Sequence, residues 1–329
     1  MSTDVVLELR GLRTRFGPER GGTVAVDGVS FALRRGRTTA LVGESGSGKS
    51  VTALSIMGLI EPPGHVVAGE ILLDGRDLRR AGAREFEGVR GSRIGMVFQD
   101  PLTSLNPVLT FGSQIAETIR AHEPISRAAA EQRAVRLLEH VGVVDAAARA
   151  QDYPHHFSGG MRQRALIAAA IACRPDIIIA DEPTTALDVT VQATILRLLH
   201  DLQQEMHASL LLITHDLGVV AAMADDVLVM YAGRVVERAD VDTLFHAPRH
   251  PYTRALLGCA TGIEDDRRAP LQPIEGMPPD LRHPPPGCRF APRCRHAVAA
   301  CDAASPALQP FGAAHEVACH RAAEVLADA

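Results

Sequence analysis

The 329-residue sequence predicts an α/β fold, and three observations carry that prediction. Short continuous apolar runs at Thr38 to Val42, Ile177 to Ala180 and Leu210 to Thr214 have the pattern of parallel strands buried on both faces. The first run enters a glycine-rich turn followed by helical composition from Ser50 to Ile60, giving strand, loop and helix in succession. A helix near Val191 to Gln204 separates the other two runs and completes an α/β unit.

Ahead of these elements, Val5 to Leu9 and Val24 to Leu33 read as strands, the second alternating around Asp27 and Gly28. From Gln114 to Ala150 good helix formers dominate, with Ile115, Ile119, Leu137, Leu138 and Val141 at helical spacing, so this stretch is expected to be mainly helical. After about Ala239 the character changes: seven prolines fall between Pro270 and Pro286, and four of the six cysteines lie beyond Gly287. The expected organisation is a main domain over residues 1–240, with a helical subdomain at about 100–165, and an extension over residues 241–329.

Bulk properties exclude several classes. A net charge of -5, with no recurring basic block, disfavours a dedicated nucleic-acid binder, whose affinity rests on neutralising phosphates. The start, Met-Ser-Thr-Asp-Val, lacks the basic and apolar segments of a secretory signal, so the chain is expected in the cytosol. The longest purely apolar runs, such as Ala165 to Cys173, fall far short of the roughly 20 residues of a spanning helix. Any membrane association is therefore expected to come through a partner. Of the 34 basic residues, Lys49 alone is lysine. A position that keeps a compact ammonium on a flexible stem against such a bias marks a task that arginine does not perform.

Lys49 belongs to Gly43-Glu44-Ser45-Gly46-Ser47-Gly48-Lys49-Ser50, which fits the G-x-x-x-x-G-K-[ST] phosphate loop in the strand-loop-helix context the motif requires. The glycines let main-chain N–H groups turn toward phosphate oxygens at the positive end of the following helix. Lys49 would bridge the β- and γ-phosphates of a nucleoside triphosphate, and the Ser50 hydroxyl would bind Mg²⁺. The run Ile177-Ile178-Ile179-Ala180 ends in Asp181-Glu182, carboxylates placed where open α/β sheets present ligand groups. Asp181 suits Mg²⁺, and Glu182 suits a general base that polarises the attacking water.

Phe157-Ser158-Gly159-Gly160-Met161-Arg162-Gln163-Arg164 resembles the signature sequence of ATP-binding cassette (ABC) proteins. Gln99 in Val97-Phe98-Gln99-Asp100-Pro101 is similar to the glutamine loop of that family, Ala186-Leu187-Asp188 to its D-loop, and His215 in Ile213-Thr214-His215-Asp216 to its switch histidine. The resemblance spans about residues 5 to 240. It departs from the family pattern at Phe157, where leucine is usual, and at Met161, where glutamine is common. It implies a P-loop NTPase cassette with a mixed-sheet core, an N-terminal antiparallel β subdomain and a helical signature subdomain.

The resemblance also implies site roles. Phe16 would stack on adenine, while Gly43, Ser45, Gly46, Ser47, Gly48, Lys49, Ser50 and Val51 would bind the nucleotide. Ser50, Gln99 and Asp181 would hold Mg²⁺; Glu182, His215 and Gln99 would serve hydrolysis. Ser158, Gly159, Gly160 and Asp188 would face the ATP of a partner cassette, so two such domains close head to tail.

The phrases Phe98 to Pro107 and Asp181 to Thr190, together with His250-Pro251-Tyr252-Thr253, resemble the ATPases of dipeptide, oligopeptide and nickel permeases. That branch implies an importer motor at the cytoplasmic face of the inner membrane, working with a second ATPase subunit, two transmembrane permease subunits and an extracytoplasmic solute-binding protein. The alternative is a soluble or regulatory cassette without a transport role. Cys288, Cys294, Cys301 and Cys319 are separated by five, six and seventeen residues. Four thiolates could hold tetrahedral zinc or an iron–sulfur cluster, or the thiols could stand unligated. Resemblance to the peptide-permease branch implies a [4Fe-4S] cluster there. Cys173 and Cys259 read as small buried hydrophobes.

Overall fold

A computed structural model describes residues 4–185, 187–260, 274–312 and 314–324. In chain order its elements are β1 (Val5–Phe16), β2 (Thr23–Arg34), β3 (Thr38–Val42), α1 (Lys49–Ile56), β4 (Gly64–Leu73), β5 (Arg76–Asp77), α2 (Ala83–Val89), β6 (Ile94–Val97), α3 (Pro101–Ser104), α4 (Phe111–His122), α5 (Arg127–His140) and α6 (Ala146–Arg149). There follow α7 (Gly159–Ala170), β7 (Ile177–Asp181), α8 (Val189–Met206), β8 (Ser209–Ile213), α9 (Leu217–Met223), β9 (Asp226–Tyr231), β10 (Arg234–Asp240), α10 (Val241–His246), α11 (Pro251–Ala260), α12 (Ala299–Ala303), β11 (Gln309–Gly312) and β12 (His315–Val317). The chain forms two compact units, each assembled from several segments: Met1–Val6, Leu33–Arg37 and Leu78–Ile213 in the first, and Leu7–Ala32, Thr38–Asp77 and Thr214–Ala329 in the second.

In the first unit β6, β7 and β8 are neighbours, all parallel, with Ile94 opposite Ile177 and Ile177 opposite Ser209. Every residue of β7 and β8 is buried, which is why both are apolar runs without alternation. The expected helical stretch is divided among α4, α5 and α6. The starts of α4 and α5 follow capping chemistry: Thr110 accepts from Ser113 N–H at 3.4 Å and Ser126 from Ala129 N–H at 3.3 Å, each satisfying a donor the helix leaves open. The buried faces carry Ile115 and Ile119 on α4 and Ala130, Ala134 and Leu138 on α5, the i, i+4 spacing of a packed helix.

The second unit contains an antiparallel sheet in the order β2-β1-β4-β5 and a second run of strands in the order β11-β12-β10-β9-β3. β3 is parallel to β9, while β9 and β10 form an antiparallel pair with Arg234 opposite Tyr231. Described residues after 240 join the same core: Leu244, Tyr252, Leu257 and Phe290 pack with Ala40, Val42, Val227, Val229 and Tyr231. Tyr231 and Tyr252 ring centroids are 4.6 Å apart, and Phe290 stands edge-on to Tyr231 at 5.2 Å.

A charged clamp reinforces this union. Asp27 on β2, 9% exposed, pairs with Arg13 at 3.0 Å, Arg234 at 2.7 Å and Arg289 of the extension. Burial works to raise the Asp27 carboxyl, but the Arg234 hydrogen bond and the charges of Arg289, Arg234 and Arg13 outweigh it and hold the group below its ordinary value of 3.8. A carboxylate depressed in the folded state stabilises the fold above its unfolded value, and the gain disappears as pH falls through the native one. Replacing Asp27 with Asn is therefore expected to lower unfolding stability at pH 7 by about 3 kcal/mol, because three guanidinium groups lose their shared partner. Denaturant titration of both proteins should show that gap closing below pH 3.8.

Candidate functional site

The phosphate loop lies in the second unit, between the end of β3 and the start of α1. Gly43, Gly46 and Gly48 have φ of +152°, +76° and +104°, conformations that L side chains rarely adopt. At Gly43 a Cβ would lie 2.1 Å from the Met230 carbonyl oxygen, and at Gly48 2.4 Å from that of Ala25. The turn thus needs glycine for both backbone angle and room.

Lys49 is 5% exposed and donates from Nζ to the carbonyls of Gly43 at 2.8 Å and Glu44 at 3.0 Å, so its ammonium is held across the loop. Ser47 Oγ is buried with no hydrogen-bond partner, a polar atom left over in a cradle built by main chain. Left-handed glycines, a helix start and a positioned ammonium fit a nucleoside triphosphate. Ser50 and Val51 open α1 directly after Lys49.

Two other predicted residues lie in this unit. Phe16 is half-buried at the end of β1 opposite Gly64, where an added Cβ would lie 2.5 Å from its ring. His215 is exposed, between buried Thr214, whose hydroxyl accepts from Asp216 N–H at 3.0 Å, and Asp216, which caps α9 by accepting from Gly218 N–H at 2.9 Å.

Of the predicted hydrolytic residues, the first unit brings together Gln99 and Glu182. Asp181, 4% exposed, ends β7, and Glu182 follows with φ +46°, an uncommon conformation for a residue with a side chain. Its carboxylate accepts from Gln99 Nε2 at 3.1 Å and Thr185 Oγ1 at 2.9 Å, both on Oε2. Thr185 was not singled out from the sequence, although it stands within the Asp181 to Thr190 phrase.

Ser158 caps α7, accepting from Met161 N–H at 3.4 Å, and is exposed. Gly159 and Gly160 lie against the α8 entry: a Cβ on Gly159 would sit 3.3 Å from Leu187, and on Gly160 2.8 Å from Val191. Asp188 caps α8, accepting from Val191 N–H at 3.0 Å. Ala186 of the D-loop phrase lies outside the described residues. The Phe157 departure has a packing reason: it is buried, with its ring 4.1 Å from Phe111.

The iron–sulfur expectation is corrected. Cys288, Cys294, Cys301 and Cys319 line one small cavity, yet among the described residues no group of three or more His, Cys, Asp or Glu side chains could hold a metal ion. Burial raises the thiols of Cys288 and Cys294 and pushes that of Cys319 up to about 11. The segment is instead held by ordinary bonds, among them Cys288 N–H to the Cys301 carbonyl at 2.7 Å, and by Phe290 in the core. Cys259, expected to be buried, is exposed on α11.

With this geometry in hand, the sequence matches a family model described as ABC transporter over residues 26–185 and one described as Oligopeptide/dipeptide transporter, C-terminal region, over residues 236–301. It is 50% identical over 315 residues to the dipeptide transport ATP-binding protein DppD of Bacillus subtilis (strain 168), covering 95% of this chain and 94% of that protein. It is 47% identical over 315 residues to DppD of Escherichia coli (strain K12), covering 96% of each. Among solved structures it resembles the dimeric post-hydrolysis state of the ATP-binding cassette MJ0796 bound to ADP and Pi, with a TM-score of 0.64 and 26% identity over 71% of this chain and 98% of that one. It also resembles cbiO1 from Clostridium perfringens, part of the complex cbiONQ, with a TM-score of 0.63 and 27% identity over 74% and 92% of the two chains.

The crowding at the loop makes a direct test. Gly48→Ala forces a Cβ against the Ala25 carbonyl at a left-handed φ and is expected to cost about 1–3 kcal/mol. Calorimetry should record a melting point lower by several degrees, roughly 2–4 °C per kcal/mol.

Proposed function

Because the chain belongs to the ABC transporter family and matches its peptide-transport ATP-binding proteins along nearly its whole length, we propose that it is the ATP-hydrolysing subunit of an importer for dipeptides, oligopeptides or similar small solutes. The match of residues 236–301 to the oligopeptide/dipeptide transporter C-terminal region favours this over a soluble or regulatory cassette. The cassette comprises residues 1–240, and the extension residues 241–329.

In this reading Phe16 stacks on adenine, and Gly43, Ser45, Gly46, Ser47, Gly48, Lys49, Ser50 and Val51 bind the phosphates through main-chain N–H groups, hydroxyls and the lysine ammonium. Ser50, Gln99 and Asp181 would hold Mg²⁺, whose charge would offset that of the phosphates. Glu182 accepts a proton from the attacking water as general base, and His215 steadies the γ-phosphate side. The observation that carries this assignment is the Glu182 carboxylate, oriented by hydrogen bonds from Gln99 and Thr185 on one oxygen at the end of a buried strand. A carboxylate so held needs little rearrangement before it takes the proton.

Two such chains, or this chain and a relative, close head to tail. The exposed cap Ser158, with Gly159, Gly160 and Asp188, then adds donors to the partner's γ-phosphate. The dimeric ADP- and Pi-bound cassette it resembles supports that arrangement. Among the described residues no helix is long and apolar enough to cross a membrane. Two permease subunits therefore supply the membrane path, with a solute-binding protein outside and this subunit at the inner face.

Co-purified with its permease subunits, Glu182→Gln is expected to bind ATP with unchanged affinity while phosphate release falls about 100-fold or more. Hydrolysis at the wild-type rate in that variant would remove Glu182 from the role of base.

A further inference from the structure

We propose that Arg293 of the C-terminal extension is a positioning residue for the phosphate loop, gripping Glu44 and thereby setting the affinity of the loop for ATP. This rests on the ATP-binding reading above and assigns a part of it to a residue outside the cassette motifs.

The Arg293 side chain is 4% exposed and engages Glu44 with both arms of its fork, Nη1 to Oε2 at 2.7 Å and Nη2 to Oε1 at 3.1 Å. Its remaining donors are spent on the carbonyls of Glu275 at 2.9 Å and Ile274 at 3.1 Å and on the Tyr231 hydroxyl at 3.3 Å. A guanidinium that buried stays charged, and a two-armed carboxylate pair fixes direction as well as distance. Glu44 is the second residue of the phosphate loop. Its main-chain N–H donates to the Tyr252 hydroxyl at 2.9 Å, so the extension holds it at both side chain and backbone. Its carbonyl accepts from Lys49 Nζ at 3.0 Å. One residue thus joins Arg293 and Tyr252 on one side to the phosphate-binding lysine on the other.

Charge gives the grip a second effect. A carboxylate in a loop that receives a triphosphate repels it unless neutralised, and Arg293 supplies the neutralising charge while drawing the side chain toward the extension. Loss of Arg293 would leave Glu44 both loose and uncompensated. A purely packing role for Arg293 would lack that electrostatic signature.

The test is ATP titration and steady-state hydrolysis with the full chain carrying Arg293→Gln, Glu44→Gln or both. Arg293→Gln is expected to raise Kd and KM for ATP about tenfold with kcat within about twofold. The double variant should recover part of that loss, since no unpaired carboxylate remains, and added salt should narrow the gap between Arg293→Gln and wild type. Affinity unchanged in Arg293→Gln, or lowered equally in the single and double variants with no response to salt, would overturn the inference. If Arg293→Gln does not fold, Arg293→Lys decides: it keeps the charge but not the fork, and an unchanged KM counts against the proposal. Lys49→Ala separates the two levels, because wild-type ATP binding in that variant would refute the nucleotide reading itself and carry this inference with it.

Discussion

A strand that must become a helix within a few residues, while turning its main chain toward an anion, has almost no freedom left in its backbone. The turn between β3 and α1 meets that demand with three left-handed glycines, and the backbones of Met230 and Ala25 fill the space where Cβ atoms would stand at Gly43 and Gly48. The surrounding unit is arranged to keep that space filled. Gly233 N–H donates to the Ser47 carbonyl at 2.8 Å, and Asp27 N–H donates to the Gly233 carbonyl at 2.8 Å. The β9–β10 turn is thereby tied to both the loop and β2. The arginine clamp on Asp27 extends the same scaffold to Arg289, so core packing, ion pairing and loop geometry support one another.

The first unit solves a different problem, that of aiming a carboxylate. Glu182 stands immediately after a strand buried throughout, in a backbone conformation that costs energy for a residue with a side chain. Its N–H is anchored to the Ile213 carbonyl at 2.9 Å, and its Oε2 is held by an amide and a hydroxyl. Strain persists here because neighbouring bonds over-determine the geometry, which leaves the group oriented ahead of any reaction.

What was legible in the sequence follows from how local each signal is. β3, β7 and β8 were plain because strands buried on both faces must be apolar throughout. β1 was seen only as far as Leu9, although it runs to Phe16, because arginines and a register shift near Arg10 and Arg13 break the pattern there. The phosphate loop and the caps at Ser158 and Asp188 were legible since each depends on neighbours within a few positions. The Arg293–Glu44 pair, 249 residues apart, leaves no local trace. The cysteine spacing misled because spacing counts residues along the chain: the four cysteines do line one cavity, yet among the described residues they form no group that could hold a metal ion.

The confinement of lysine to position 49 reaches beyond nucleotide chemistry. Apart from the histidines, every other basic side chain is a guanidinium, which keeps its charge at any pH the protein meets, so that surface charge does not fade in alkaline conditions as ammonium groups would. It also leaves acetylation, ubiquitin-like tagging and amine-directed crosslinkers a single side-chain target. That target is 5% exposed and already bonded to two carbonyls. Reagents that read protein surfaces through lysine would find this one nearly blank, with any side-chain reaction reporting on the opening of a single loop.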